Sequence, residues 1–182
     1  MSSSKGPPPL KVSVVGPKGS GKTTLSNFLA SEEASSLGMA RCGETVGCRI
    51  LESERFAAPL ELWDTGGSTE YESCWPAIMK DTAGVVLVYD PENEGHVSEA
   101  AAWYDFFVKK NGLPDDQCVV FAFAPKAQPG VRQRTSPKLQ HLNVINVCLA
   151  DGPVLLQHFD RFVRTLKHAV DNNTKAANAR GK

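Results

Sequence analysis

Gly16-Pro17-Lys18-Gly19-Ser20-Gly21-Lys22-Thr23 fits the pattern G-x-x-x-x-G-K-[ST], and the rest of the chain is read outward from it. Its glycines allow backbone N–H groups to face an anion. Its lysine reaches the β and γ groups of a phosphate chain, and its threonine hydroxyl is an oxygen ligand for Mg2+. The alternative is a flexible glycine turn, and the flanking sequence decides between the two. Residues 10–15 are short, apolar and β-branched, and residues 22–34 suit a helix, so the order is strand, glycine loop, helix. A helix starting at Lys22 also turns the positive end of its dipole toward the phosphates. The contacts expected from this stretch are Gly16, Lys18, Gly19, Ser20, Gly21, Lys22, Thr23 and the adjoining Thr24.

Downstream, residues 46–55 and 58–64 read as two strands close enough to form an antiparallel hairpin at a sheet edge. Residues 68–80 are partly helical despite Pro76. A buried strand is expected over 84–90, and a helix over 97–110 with Ala101, Tyr104 and Val108 on one face. Two more buried strands, 117–124 and 142–148, flank a connection rich in Pro and Gly, with room only for a short helix capped at Ser136. Over 153–170, Leu155, Phe159, Phe162, Leu166 and Ala169 mark the apolar stripe of a closing helix. The alternation predicts an α/β fold. Its six-stranded sheet is mostly parallel with one antiparallel edge hairpin, and helices cover both faces. A single domain is expected over 10–171, between disordered tails at 1–9 and 172–182 that lack periodicity.

The chain has 182 residues, 41% of them hydrophobic and 22% charged, which is ordinary for a globular domain and excludes fibrous or wholly disordered classes. Twenty Lys and Arg balance twenty Asp and Glu, so no net basic field draws the chain to nucleic acid or an anionic membrane. No apolar run approaches the roughly 20 residues of a membrane span. Ser2 stands where myristoylation needs glycine, and the Ala-Arg-Gly-Lys end lacks a prenylatable cysteine, so no lipid anchor is expected. Five scattered cysteines without a C-x-x-C pair fit reduced thiols and a cytosolic compartment. The sequon at Asn172 has no secretion signal to bring it into use.

A second motif, Trp63-Asp64-Thr65-Gly66-Gly67, falls at a strand end on the phosphate side. An aspartate there can hold Mg2+ through water, and the Gly67 N–H can sense a γ-phosphate. By itself, Asp before glycines also suits a plain turn. Thr45 lies between the two motifs, placed either to complete the Mg2+ shell or simply as a β-branched strand residue. The expected metal set is Thr23, Thr45 and Asp64, with Thr45 and Gly67 joining the nucleotide contacts.

In this order the three elements resemble the Ras-like small GTPases over about residues 11–170. Arg49-Ile50-Leu51-Glu52, Glu61 through Gly67, and Tyr71-Glu72-Ser73-Cys74-Trp75-Pro76-Ala77-Ile78-Met79-Lys80-Asp81 are similar to the Rab-like small GTPase subunits of the intraflagellar transport B complex. The resemblance implies a Ras-like fold and binding of GTP and GDP with Mg2+. It also implies a role in building cilia or flagella, docked on the coiled-coil heterodimer of the complex B core. The expected location is the cytoplasm and the cilium or flagellum, including its base, with the isolated chain a monomer placed by protein partners.

Departures from the pattern shape the expected chemistry. Ser68 stands where active members carry the glutamine that orients water, and Lys18 stands where efficient ones usually have glycine. Both imply very slow hydrolysis, so no catalytic residue is assigned. Arg41 is a candidate finger in cis or, alternatively, a solvated loop arginine. The guanine-reading N-K-x-D motif aligns with Pro125-Lys126-Ala127-Gln128. Lys126 remains a base contact or a solvated lysine, and discrimination against ATP is expected to weaken. An active P-loop NTPase or small-molecule kinase is the competing reading, with Arg132 and Arg134 as lid arginines. Tyr71, Trp75 and Met79 suit either a partner surface or the core, with packing favoured for Trp75.

Overall fold

The computed structural model describes residues 8–31, 42–124 and 134–180. Its six strands are β1 (Leu10–Val15), β2 (Cys48–Ser53), β3 (Leu60–Thr65), β4 (Gly84–Tyr89), β5 (Cys118–Phe123) and β6 (Val144–Val147). They form one sheet in the order β2-β3-β1-β4-β5-β6. β2 and β3 pair antiparallel, and every other neighbouring pair is parallel. Among the described residues the α-helices are α1 (Lys22–Ala30), α2 (Trp75–Met79), α3 (Glu94–Tyr104) and α4 (Gly152–Arg180). The predicted architecture is the observed one.

Strand alternation divides the core in two, because successive side chains leave opposite faces of a sheet. Val12, Val14, Val86, Val88, Val119, Phe121 and Phe123 pack with Leu25, Leu29, Leu155, Phe159 and Leu166 of α1 and α4. Val85, Leu87, Tyr89, Val120 and Ala122 pack on the other face with Trp75, Ile78, Met79, Trp103 and Tyr104 of α2 and α3. β1 lies where the strand order reverses, with β3 on one side and β4 on the other. A crevice opens at such a point, beyond the carboxyl ends of the strands, and the glycine loop after β1 occupies it.

Some boundaries differ from expectation for identifiable reasons. β2 begins at Cys48 rather than 46, because Gly47 adopts φ 70° and leaves extended geometry, although its carbonyl still accepts the in-register Gly66 amide at 2.7 Å. The helix expected over 97–110 starts at Glu94, capped by Asn93, and becomes a π-helical segment over Asp105–Lys109. The closing helix, expected to stop at 170, continues to Arg180 through the segment read as a tail, so the reading of 172–182 as unstructured is corrected as far as Arg180. Propagating an existing helix needs no new nucleus, so Asn172, Asn173 and Thr174 extend it despite weak propensities. The first helix ends at Ala30 rather than 34, since Ser31 is extended.

Candidate nucleotide site

The loop after β1 is shaped by close approach. Gly16 has φ 143°, and a Cβ there would stand 2.0 Å from the Val88 carbonyl oxygen, so only glycine lets the loop lie on β4. At its far end, α1 begins with no side-chain cap and no acidic residue in the first turn. By contrast, α3 is capped by the Asn93 carboxamide, which accepts from the Gly95 and His96 amides, with Glu94 in its first turn. An uncapped helix start keeps unpaired N–H groups and positive dipole for an anion.

The cleft above this loop has a volume of about 240 Å3. Lys18, Gly19, Gly21, Lys22, Thr23 and Thr24 form its floor, and Cys42 through Thr45 together with Thr65 through Gly67 form its rim. Lys22 is 6% exposed, and its ammonium donates to the Pro17 carbonyl at 2.7 Å. Burial pulls its pKa down to about 8, against the attraction of Asp64 and Glu44. A phosphate beside it would add to the counter-charge that Asp64 and Glu44 supply. Gly67 closes over the loop, since a Cβ there would lie 2.6 Å from the Lys18 amide nitrogen and 2.7 Å from Lys22 Nζ. Ser20 is buried, its hydroxyl without a partner among the described residues.

The three expected metal ligands meet beside the cleft. Thr23 Oγ1 and Thr45 Oγ1 lie 2.9 Å apart and both donate to Asp64 Oδ2, at 3.0 and 2.6 Å. Asp64 is fully buried, and its Oδ1 has no hydrogen-bond partner among the described residues. A buried carboxylate oxygen left unpaired is costly, and hard oxygens from one carboxylate and two hydroxyls are the donors Mg2+ takes. The residues therefore fit the ion.

Residues to which motif reading gave no role complete this corner. Arg49 Nη2 donates to Asn27 Oδ1 at 2.7 Å and lies 3.4 Å from Asp64 Oδ2. Asn27 Nδ2 in turn donates to Cys42 Sγ at 3.0 Å. Glu44 pairs with Lys18 at 3.2 Å across the mouth of the cleft, both side chains exposed. Only the hairpin register, which the structure supplies, sets Arg49 opposite Asp64.

Other expected residues have different roles. The Ser68 hydroxyl accepts from the Glu70 amide at 3.3 Å and so caps the 3-10 turn Thr69–Cys74. Trp75 and Met79, candidates for a partner surface, are 6% and 8% exposed and belong to the core, while Tyr71 is half-buried. Arg134 pairs with Glu94 at 2.6 Å and does not line the cleft. Arg41, Lys126, Gln128 and Arg132 lie outside the described residues. Among the described residues no helix is long and apolar enough to cross a membrane.

Strand order, glycine loop, uncapped helix and the Thr23–Thr45–Asp64 corner define a Ras-like P-loop GTPase domain. In agreement, residues 11–124 match the family model described as Ras of Complex, Roc, domain of DAPkinase. Among individual proteins, the chain is 36% identical to the intraflagellar transport protein 22 homolog of Danio rerio, over 85% of this chain and 88% of the relative. The GTP-bound T. brucei IFT22/74/81 crystal structure contains a chain that superposes with a TM-score of 0.73 at 27% identity, covering 92% of this chain and 99% of that one. The GDP-bound T. brucei IFT22 crystal structure superposes with a TM-score of 0.67 at 27% identity, covering 90% and 99%. The chain belongs to the intraflagellar transport protein 22 family of small GTPases.

Proposed function

We propose that this chain is an atypical small GTPase-like subunit that binds GTP and GDP with Mg2+, hydrolyses GTP very slowly, and docks on the intraflagellar transport B complex during cilium or flagellum assembly. The observation that carries the nucleotide reading is the convergence of Thr23, Thr45 and Asp64 beside the phosphate loop, with Asp64 Oδ1 unpaired. Thr23 and Thr45 would hold Mg2+ directly, and Asp64 through water. When bound, the ion would neutralise charge between the β- and γ-phosphates. The backbone of the glycine loop and Lys22 would hold the phosphates, and the Thr45 and Gly67 segments would register the third one.

Two features support slow turnover. The Ser68 side chain is too short to orient an attacking water and already accepts the Glu70 amide, while Lys18 ties the rim to Glu44. Single-turnover hydrolysis is expected far below the roughly 10 per second of an assisted GTPase. For docking, the support is the relative crystallised as IFT22/74/81, and the partner read for this chain is the corresponding coiled-coil heterodimer of the B core. The location that follows is the cytoplasm and the cilium or flagellum, including its base.

The deciding experiment titrates nucleotide-stripped protein with labelled GTP, GDP and ATP in the presence of Mg2+. Preferential binding of GTP and GDP is expected, with weakened rejection of ATP because Gln128 replaces the guanine-reading aspartate. Comparable or tighter ATP binding would replace the guanine reading with a purine-tolerant module. Co-purification with the 74/81 pair tests docking independently.

A further inference from the structure

Arg49 places a permanent positive charge where a small GTPase is expected to hold its metal. The antiparallel register sets it opposite Asp64, and directly opposed residues project from the same face of a hairpin. Its Nη2 lies 3.4 Å from Asp64 Oδ2, the same oxygen that accepts both threonine hydroxyls, and it is held in place by Asn27 Oδ1 at 2.7 Å. Asp64 is fully buried, while the Arg49 side chain is 42% exposed, so the arginine reaches in from the edge. Its Nε is buried without a partner among the described residues, a cost that the charge attraction to Asp64 offsets.

A buried carboxylate needs a counter-charge, and in most oxygen sites the cation supplies it. Here the Arg49 guanidinium supplies it beside the more distant Lys22 ammonium, whether or not a metal is loaded. Two consequences follow for the donor set. The hydroxyls of Thr23 and Thr45 gather on the oxygen that the guanidinium faces, so its charge bears on all three donors. The net charge presented to a divalent cation is also reduced, and the affinity of hard-cation sites depends on ligand charge.

We propose that Arg49 is a positioning residue that sets the Mg2+ dependence of this site, holding Asp64, Thr23 and Thr45 assembled without the metal and weakening the coupling between metal and nucleotide. This rests on the reading of the cleft as a Mg2+-nucleotide site.

The test measures the dissociation constant of labelled GDP for the full chain with saturating Mg2+ and again with the metal chelated by EDTA, for the native protein, Arg49→Lys and Arg49→Gln. The quantity read is the ratio of the two constants. For the native protein a ratio below about tenfold is expected, rising at least about tenfold further in Arg49→Gln, with Arg49→Lys between them. A purely structural loss would weaken binding equally in both conditions and leave the ratio unchanged. Equal ratios in all three proteins overturn the proposal. So does a native ratio above about a hundredfold, a result that stands even if Arg49→Gln does not fold. Absence of nucleotide binding by the native protein in both conditions instead overturns the nucleotide reading, and the role of Arg49 with it.

Discussion

The two segments that rim the cleft are anchored by different chemistry. On one side, Thr45 and Glu44 are held by hydroxyl, carboxylate and ammonium groups, at 2.6 Å to Asp64 and 3.2 Å to Lys18. On the other, the segment after Gly67 is fixed by Trp75, whose ring lies 4.5, 4.9 and 5.5 Å from the rings of Trp103, Phe106 and Phe107. Aromatic burial contributes stability regardless of what occupies the cleft. Polar contacts exchange readily with water or ligand and contribute little net stability, but they respond to a bound charge. The first rim is therefore the one that a bound charge can shift, whereas the second keeps its place through packing alone.

The sharpest way to break this comparison is Trp75→Ala, expected to cost about 3–5 kcal/mol of unfolding free energy because a large ring leaves a cavity against α3. Urea denaturation measures the loss, while labelled-GDP affinity of the folded fraction should change by less than about threefold. Loss of affinity in the folded state would show that the aromatic cluster shapes the cleft directly. Thr45→Val, next in size, preserves shape but removes the hydroxyl bond to Asp64. It is expected to weaken GTP binding by about 1–2 kcal/mol more than GDP binding, as read by competition titration. An equal effect on both nucleotides would remove Thr45 from phosphate sensing. The smallest effect belongs to the Lys18–Glu44 pair, whose side chains are 66% and 45% exposed. Glu44→Gln should change stability by no more than about 0.5 kcal/mol in urea denaturation, with the difference fading as salt is raised.

How far these features can be read from the sequence depends on how local they are. Gly16 through Thr23 form one contiguous stretch with a strand before and a helix after, so the loop and its position are legible together. Thr45 and Asp64 are legible by their order relative to that loop. Arg49 is not, because its role depends on the β2–β3 register, and a shift of one residue would send it to the opposite face. Met79 illustrates a different difficulty. An apolar residue after the second glycine motif fits a partner surface as well as a core, and only the packing of α2 on β4 and α3 decides between them. The π-helical segment Asp105–Lys109 leaves no periodic signature, since one widened turn only shifts the phase of an otherwise helical pattern.

The length of α4 has its own consequence for how the protein opens. Leu155, Phe159, Val163 and Leu166 are fully buried against the sheet, whereas residues 171–177 are exposed on every side. One continuous rod thus spans two regimes of amide protection. Deuterium should enter the distal turns within the shortest labelling times through end fraying, while the amides around Phe159 and Val163 should wait for the whole sheet to separate, so that a single helix reports both the loosest and the firmest parts of the molecule.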